Sequence, residues 1–269
     1  MTEPLIQLLA DVWADVGTVC DDLTEDQWKV PTDLPGWSVQ DNVAHMIGTE
    51  MMLLGENAPL EDIGHAPYVR NDIGKFNEQW VVLYRNRTGA ETLADFRRVT
   101  RRRLDALDEL PAEKWDEEGF TPEGPGPYRQ FMEIRVFDCW FHDQDIREAL
   151  DRPGLLEGSA ADLSVGRIPA KALPYVVGKK AAAPQGSTIV FTVTGAAPIV
   201  ATVGVDGRAA LLTEPPPDPS VKLRMDRRTF TRLAGGRWTG DQARARGALE
   251  VSGDVELGQR VVDNLAFTL

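Results

Sequence analysis

The sequence predicts a helical bundle followed by a smaller α+β domain with an antiparallel sheet. Three observations carry this. Charge is divided: residues 1–152 hold 31 acidic and 15 basic side chains, and residues 153–269 hold 11 and 14. The apolar period changes at the same place, from helical spacing to β-branched runs. Only the second half has an Asp206-Gly207 pair between two apolar runs, a strong hairpin signal. The expected domains are therefore residues 1–152 and 153–269.

The elements follow in order. Leu5, Leu8, Leu9, Val12, Val16 and Val19 recur at helical spacing. Pro31, Pro35 and Gly36 then break the chain. Ser38 followed by Asp41 resembles a capping box that starts a second helix, with Val39, Val43, Met46, Glu50 and Leu53 along one face. Helices are expected near 70–87 and 89–110, a loop over the Pro- and Gly-rich residues 111–127, and a last helix over 128–150. Four to five helices with short connections suggest an antiparallel four-helix bundle. In the second half, strands are expected at 187–194, 198–205, 208–213, 221–225 and 248–252, with helices near 227–234 and 255–264. Helices to one side of an antiparallel sheet complete the α+β pattern.

Composition narrows the function. The formal net charge of −13 argues against nucleic acid and against anionic membrane surfaces, since both are held by Lys and Arg. Cys20 and Cys139, far apart in sequence, exclude a disulfide framework and a four-cysteine zinc site. Acidic Glu3, Asp11 and Asp15 are unlike a secretory signal, and no run reaches the length of a membrane span. A cytoplasmic, reducing setting is expected.

The three histidines, His45, His65 and His142, direct the chemistry. The 128–150 helix is apolar nearly all round, as a buried helix is. It nevertheless carries Arg135, Asp138, His142 and Asp145, spaced to share one face. Buried carboxylate and imidazole need a partner or a metal. Asp138 and His142, four residues apart, reach toward one point, as paired ligands on a helix do. A third ligand must come from another element, and His45 is the candidate, on a second polar seam with Asn42 and Thr49. The alternative is a structural hydrogen-bonded pair of Asp138 and His142 with Arg135. His65 lies in a Pro- and Gly-flanked loop and reads as exposed. Cys139 and Cys20 read as small structural residues. Trp28 and Trp37 bracket the turn before the second helix and could border a pocket.

Residues 31–45, PTDLPGWSVQDNVAH, and 135–148, RVFDCWFHDQDIRE, resemble the two ligand helices of the mycothiol-dependent maleylpyruvate isomerase family, part of the DinB-like metalloprotein superfamily. Residues 230–254, FTRLAGGRWTGDQARARGALEVSGD, resemble that family's C-terminal domain of sterol-carrier-like topology. The resemblance spans nearly the whole chain. It implies a DinB-like bundle with a divalent metal held by His45, Asp138 and His142, and mycothiol or a similar thiol as cofactor. The family pattern usually has Glu where this chain has Asp138.

Three protein ligands leave the fourth position of a tetrahedral zinc open. A coordinated thiol loses its proton and becomes a nucleophile at neutral pH. Addition–elimination on an activated alkene and S-transfer to a small electrophile are both open to such a site; with water instead of thiol, so is hydrolysis. The Asp138 departure favours S-transfer over isomerisation. Nickel, iron or manganese would also suit the donor set. A different class is a non-enzymatic protein holding an apolar ligand in its C-terminal domain. Asp145 could orient His142 or be a surface charge. Arg135 could balance Asp138, bind a substrate carboxylate or form a structural ion pair. Arg237, in a Gly-Gly-Arg loop, could grip a carboxylate, and Arg246 could add to the positive charge there; surface arginines are the plainer reading. The expected partners are a small electrophile and a low-molecular-weight thiol, with the chain a monomer or homodimer.

Overall fold

The computed structural model describes residues 3–57, 59 and 61–267. The chain divides into two compact units, Met1–Leu155 and Leu156–Leu269. Among the described residues no helix is long and apolar enough to cross a membrane.

The first unit is built from α1 (Pro4–Val19), α2 (Glu25–Trp28), α3 (Val39–Leu53), α4 (Asp72–Arg85), α5 (Gly89–Asp108) and α6 (Tyr128–Ala149). Helix α1 starts on a proline, whose missing N–H costs nothing in the first turn. Three starts use reciprocal capping boxes: Thr24 with Gln27, Ser38 with Asp41, and Thr88 with Glu91. Short α2 is absent from the sequence reading, because four residues carry too little periodicity. Residues 111–127, expected as a loop, hold a 3-10 turn at Ala112–Asp116 and two short strands, β1 (Glu118–Gly119) and β2 (Gly126–Pro127), paired antiparallel.

Four long helices close a ring: α1 packs on α5, α5 on α3, α3 on α6, and α6 on α1, while α4 lies against α3. Leu9, Val16, Val43, Met46, Ile47, Phe96, Val99, Met132, Val136 and Ile146 fill the interior. Gly48 lets α4 come close, since a Cβ there would sit 2.3 Å from the Trp80 ring.

The second unit starts with α7 (Ser159–Tyr175), followed by a π turn at Val176–Lys180. The sequence reading assigns nothing here. Pro169 and Pro174 within α7 read as breakers. Burial of Ala161, Val165, Ile168, Ala172 and Leu173 along one face outweighs them. Then come β3 (Thr188–Thr194), β4 (Ile199–Asp206), β5 (Arg208–Leu212), β6 (Val221–Asp226), α8 (Arg227–Ala234), α9 (Gly240–Ala245), β7 (Leu249–Gly253) and α10 (Val255–Asp263). Helix α9, six residues long, is also absent from the sequence reading.

The sheet order is β5-β4-β3-β6-β7. The expectation of a wholly antiparallel sheet is corrected at its centre, where β3 and β6 run parallel, with Ile189 opposite Val221. The hairpin β4–β5 turns at Gly207 (φ +66), as Asp-Gly predicts. The chain then leaves β5 and crosses to the far side of β3 through residues 213–220, which include Pro215-Pro216-Pro217. Extended at about 3.3 Å per residue, this link spans about 26 Å, enough to recross the sheet and enter β6 parallel to β3. One sheet face is covered by α7, α8 and α10. It carries Ile189, Phe191, Val193, Val203, Val221, Leu223 and Met225, all buried.

Candidate metal centre

The site forms where α3 meets α6. The Pro31–Ser38 turn, closed by a backbone bridge between its two ends, delivers the chain into α3. Gly36 (φ +79) keeps this turn tight beneath the Tyr68 ring. His45 then projects from α3, and Asp138 and His142 project from consecutive turns of α6. Nε2 of His45 lies 3.0 Å from Oδ2 of Asp138, and Nε2 of His142 lies 3.5 Å from Oδ1. One ligand atom from each residue lies within 4.8 Å of the others. The two imidazoles are 4.7 Å apart, with Trp37 alongside both at 5.3 and 5.8 Å. Both histidines are buried, whereas the Asp138 side chain keeps 29 % of its surface exposed, so the cluster reaches solvent there.

The protein fixes the tautomer of His142. Asn42 Nδ2 donates to the carbonyl of Ser38 at 2.8 Å and to Thr32 Oγ1 at 3.3 Å, so Oδ1 is the amide atom left facing the ring. Nδ1–H of His142 donates to that oxygen at 2.7 Å, and Asp145 Oδ2 lies 3.4 Å from the same nitrogen. The Nε2 lone pair therefore points at a carboxylate oxygen. Two acceptors face each other, an arrangement that calls for a proton or a cation between them. The structure shows how a proton responds: burial opposes a charged His142, but Asp138 and Asp145 outweigh it and push its pKa up. His45 goes the other way; burial dominates and lowers its pKa. Its Nδ1 is buried with no partner, and its Nε2 faces Asp138 Oδ2 at 3.0 Å, where a proton or a cation would lie. Burial also opposes ionisation of Asp138, yet His45, Arg135 and His142 together hold it well below the usual carboxylate range.

These residues fit a divalent metal. Tetrahedral zinc with ligands at about 2.1 Å places ligand atoms about 3.4 Å apart; here one atom from each residue lies within 4.8 Å of the others, so the three side chains reach one ion with small adjustments. Two imidazole nitrogens and one carboxylate form a common catalytic donor set.

The other expected residues fall as follows. Asp145 is fully buried beside His142 and is not a surface charge. Arg135 is buried too, and donates to Asp138, Glu50 and Cys139. That leaves its guanidinium committed within the bundle. Arg237 and Arg246 belong to the second unit. Arg237 is half-buried and donates to the Gly235 carbonyl at 2.5 Å, while exposed Arg246 lies over the Trp238 ring at 4.4 Å. His65 is exposed. Burial pushes both the Cys20 and Cys139 thiols up to about 12.

Sequence reasoning missed Glu50, Arg103 and Glu78. Glu78 is buried and accepts from Trp37 Nε1, Tyr68 and Arg85, which steadies the indole beside the histidines. One signal was present: Glu50 interrupts an otherwise apolar stripe on α3.

Two family models match the chain. One, described as the mycothiol maleylpyruvate isomerase N-terminal domain, covers residues 9–147. The other, the MDMPI C-terminal domain, covers residues 162–260. Among solved structures, a histidine-to-alanine mutant of the mycothiol-dependent maleylpyruvate isomerase is similar with a TM-score of 0.60 at 14 % identity, over 93 % of this chain and 92 % of that one. The unmutated enzyme gives 0.58 at 14 % identity, over 88 % and 89 %. At that identity the likeness shows the fold alone. The apo form of Sterol Carrier Protein 2 from Yarrowia lipolytica aligns with 41 % of this chain and 96 % of its own at 18 % identity, but its TM-score of 0.26 carries no argument. Curated proteins give no match.

Proposed function

Because this chain belongs to the mycothiol maleylpyruvate isomerase family, we propose that it is a thiol-dependent isomerase that uses a divalent metal, zinc first among the candidates. The observation that carries the metal reading is the convergence of two Nε2 atoms on one carboxylate, with the His142 ring fixed so that its lone pair faces inward. Metal bound there would favour the thiolate form of a small thiol, mycothiol or a close relative, at neutral pH.

The residues divide the work. His45, Asp138 and His142 hold the ion. Asn42 and Asp145 orient His142 through Nδ1, the outer support that metal-bound histidines use. Trp37 walls one side of the cluster, and the exposed part of Asp138 marks the side from which a substrate approaches.

The reaction class is cis–trans isomerisation of a small activated alkene by addition and elimination of the thiol. From the sequence, Asp138 in place of Glu puts S-transfer first; membership of an isomerase family reverses that order. A reducing, cytoplasmic setting accompanies this reading, and it leaves Cys20 and Cys139 as thiols.

The test is an assay of cis–trans isomerisation of a small unsaturated dicarboxylate, run with and without mycothiol and after dialysis against a chelator. Turnover that needs both thiol and metal supports the proposal. Thiol-dependent consumption that yields a stable thioether instead of an isomer would replace isomerisation with S-transfer. Thiol-independent, metal-dependent cleavage of the substrate into two fragments by water would make the protein a hydrolase.

A further inference from the structure

A line of buried charge ends on Asp138, and it starts at Glu50 on the same helix as His45. Glu50 and Arg135 are 1 % and 3 % exposed. Glu50 Oε1 accepts from Arg135 Nε at 2.8 Å, and Arg135 Nη2 lies 2.8 Å from the same oxygen. Glu50 Oε2 accepts from Arg103 Nε at 3.1 Å, and Arg103 donates onward to the Tyr128 hydroxyl. The rest of the Arg135 fork is also committed: Nη2 donates to Cys139 Sγ at 3.2 Å, and Nη1 to Asp138 Oδ2 at 2.5 Å. A planar guanidinium held on three sides has one orientation.

Stability alone is a poor reason for such a network. Removing ions from water offsets most of their attraction, and a well-packed apolar pair would fill the same space as well or better. Orientation is what the network supplies. Asp138 has a short side chain that is partly open to solvent, and unrestrained it would populate other rotamers. The Arg135 grip on Oδ2 selects the rotamer that places one carboxylate oxygen toward each histidine.

We infer that Glu50 is a positioning residue for the metal centre, fixing Arg135 so that Arg135 in turn fixes the Asp138 carboxylate between His45 and His142. The inference rests on the metal reading of the site. It goes beyond the three ligands to the element that aims one of them, and it gives Arg135 a role in place of substrate binding.

The experiment measures the zinc dissociation constant by competition with a chromophoric chelator, and the visible spectrum of the cobalt(II)-loaded protein. It compares wild type with Glu50→Gln, Arg135→Lys and His142→Ala, with folding of each checked by circular dichroism. Supporting partners of a metal ligand typically govern affinity by 10–100-fold. Glu50→Gln is expected to stay folded, to bind one zinc about 10–100-fold more weakly, and to show an altered cobalt spectrum. Arg135→Lys keeps the charge but loses the fork, and is expected to shift both readouts in the same direction. If Glu50→Gln does not fold, Glu50→Asp takes its place, keeping the charge but shortening the reach to Arg135, with the same shifts in both readouts expected. Wild-type zinc affinity and an unchanged cobalt spectrum in folded variants, even with a lowered thermal midpoint, would overturn the inference and leave Glu50 as a strut of the bundle. Wild type that binds neither zinc nor cobalt would instead remove the metal reading, and the inference with it.

Discussion

Between α3 and α6 the first unit buries His45, Glu50, Arg135, His142 and Asp145; under its helices the second unit buries Ile189, Phe191, Val193, Val221, Leu223 and Met225. Buried charge is costly and context-bound, whereas buried hydrocarbon stabilises in rough proportion to its area. The second unit also buries two arginines, Arg227 and Arg232, and Arg227 is tied to the carbonyls of Leu156 and Ala197 and to Asp162. The charges of the first unit are aimed differently, in a line that ends on a half-exposed carboxylate between two histidines. The contrast teaches where chemistry lies: a group of ionised side chains kept inside a bundle, each with a named partner, is there for what it holds in place.

The sharpest way to break this comparison is to remove one ligand. His45→Ala, Asp138→Asn or His142→Ala is expected to take bound metal from about one equivalent per chain to near none. Elemental analysis of each purified variant would read this directly. Metal retained by any one of them would show that residue to be outside the site. Next in size is Phe191→Ala in the second unit, expected to cost about 3–5 kcal/mol of stability by leaving a cavity in the sheet core. Denaturant unfolding would measure the loss, and metal content should not change. If metal fell with it, the contrast between a charged site and an apolar scaffold would fail.

A smaller effect sharpens the support around His142. Asn42→Ala removes the acceptor of Nδ1–H and is expected to weaken metal affinity about 10–100-fold without abolishing binding, read by chelator competition. Smaller again is Ser38→Ala. It removes the cap at the start of the ligand helix, and is expected to cost about 1 kcal/mol in thermal or chemical unfolding while leaving metal affinity near wild type. Last, Cys20 and Cys139 are buried with pKa values near 12, so almost none of either thiol is ionised at pH 8. Both are expected to resist alkylation in the folded protein and to react fully in denaturant, a check by mass spectrometry on whether the interior is as closed as described.

Much of this organisation is legible in the sequence, for reasons that differ from place to place. Helix α3 can be read because Ser38 and Asp41 cap it and apolar residues recur at the right interval. The hairpin can be read because Asp-Gly permits the backbone that Gly207 adopts. Helix α7 cannot, since two prolines hide it and only tertiary burial shows why it persists. The parallel pairing of β3 with β6 is equally hidden, because no local signal tells which neighbour a strand meets after a crossover. At the site, spacing alone groups Asp138 with His142, and the scarcity of histidine suggests His45. Asn42 appears as a polar position, but its role as the acceptor from His142 depends on two helices meeting. Glu50 and Arg103 are hidden for the same reason: their pairing joins α3 to α5 across the bundle, and sequence distance carries no trace of it.

The central claim is that two histidines and an aspartate in the first unit hold a metal. The most direct measurement is metal content of the purified protein after reconstitution with zinc, beside the His142→Ala variant prepared in the same way. The account predicts about one equivalent in the wild type and near none in the variant, with both folded. Equal metal in the two, or none in either, would contradict it and return Asp138 and His142 to a purely structural pair.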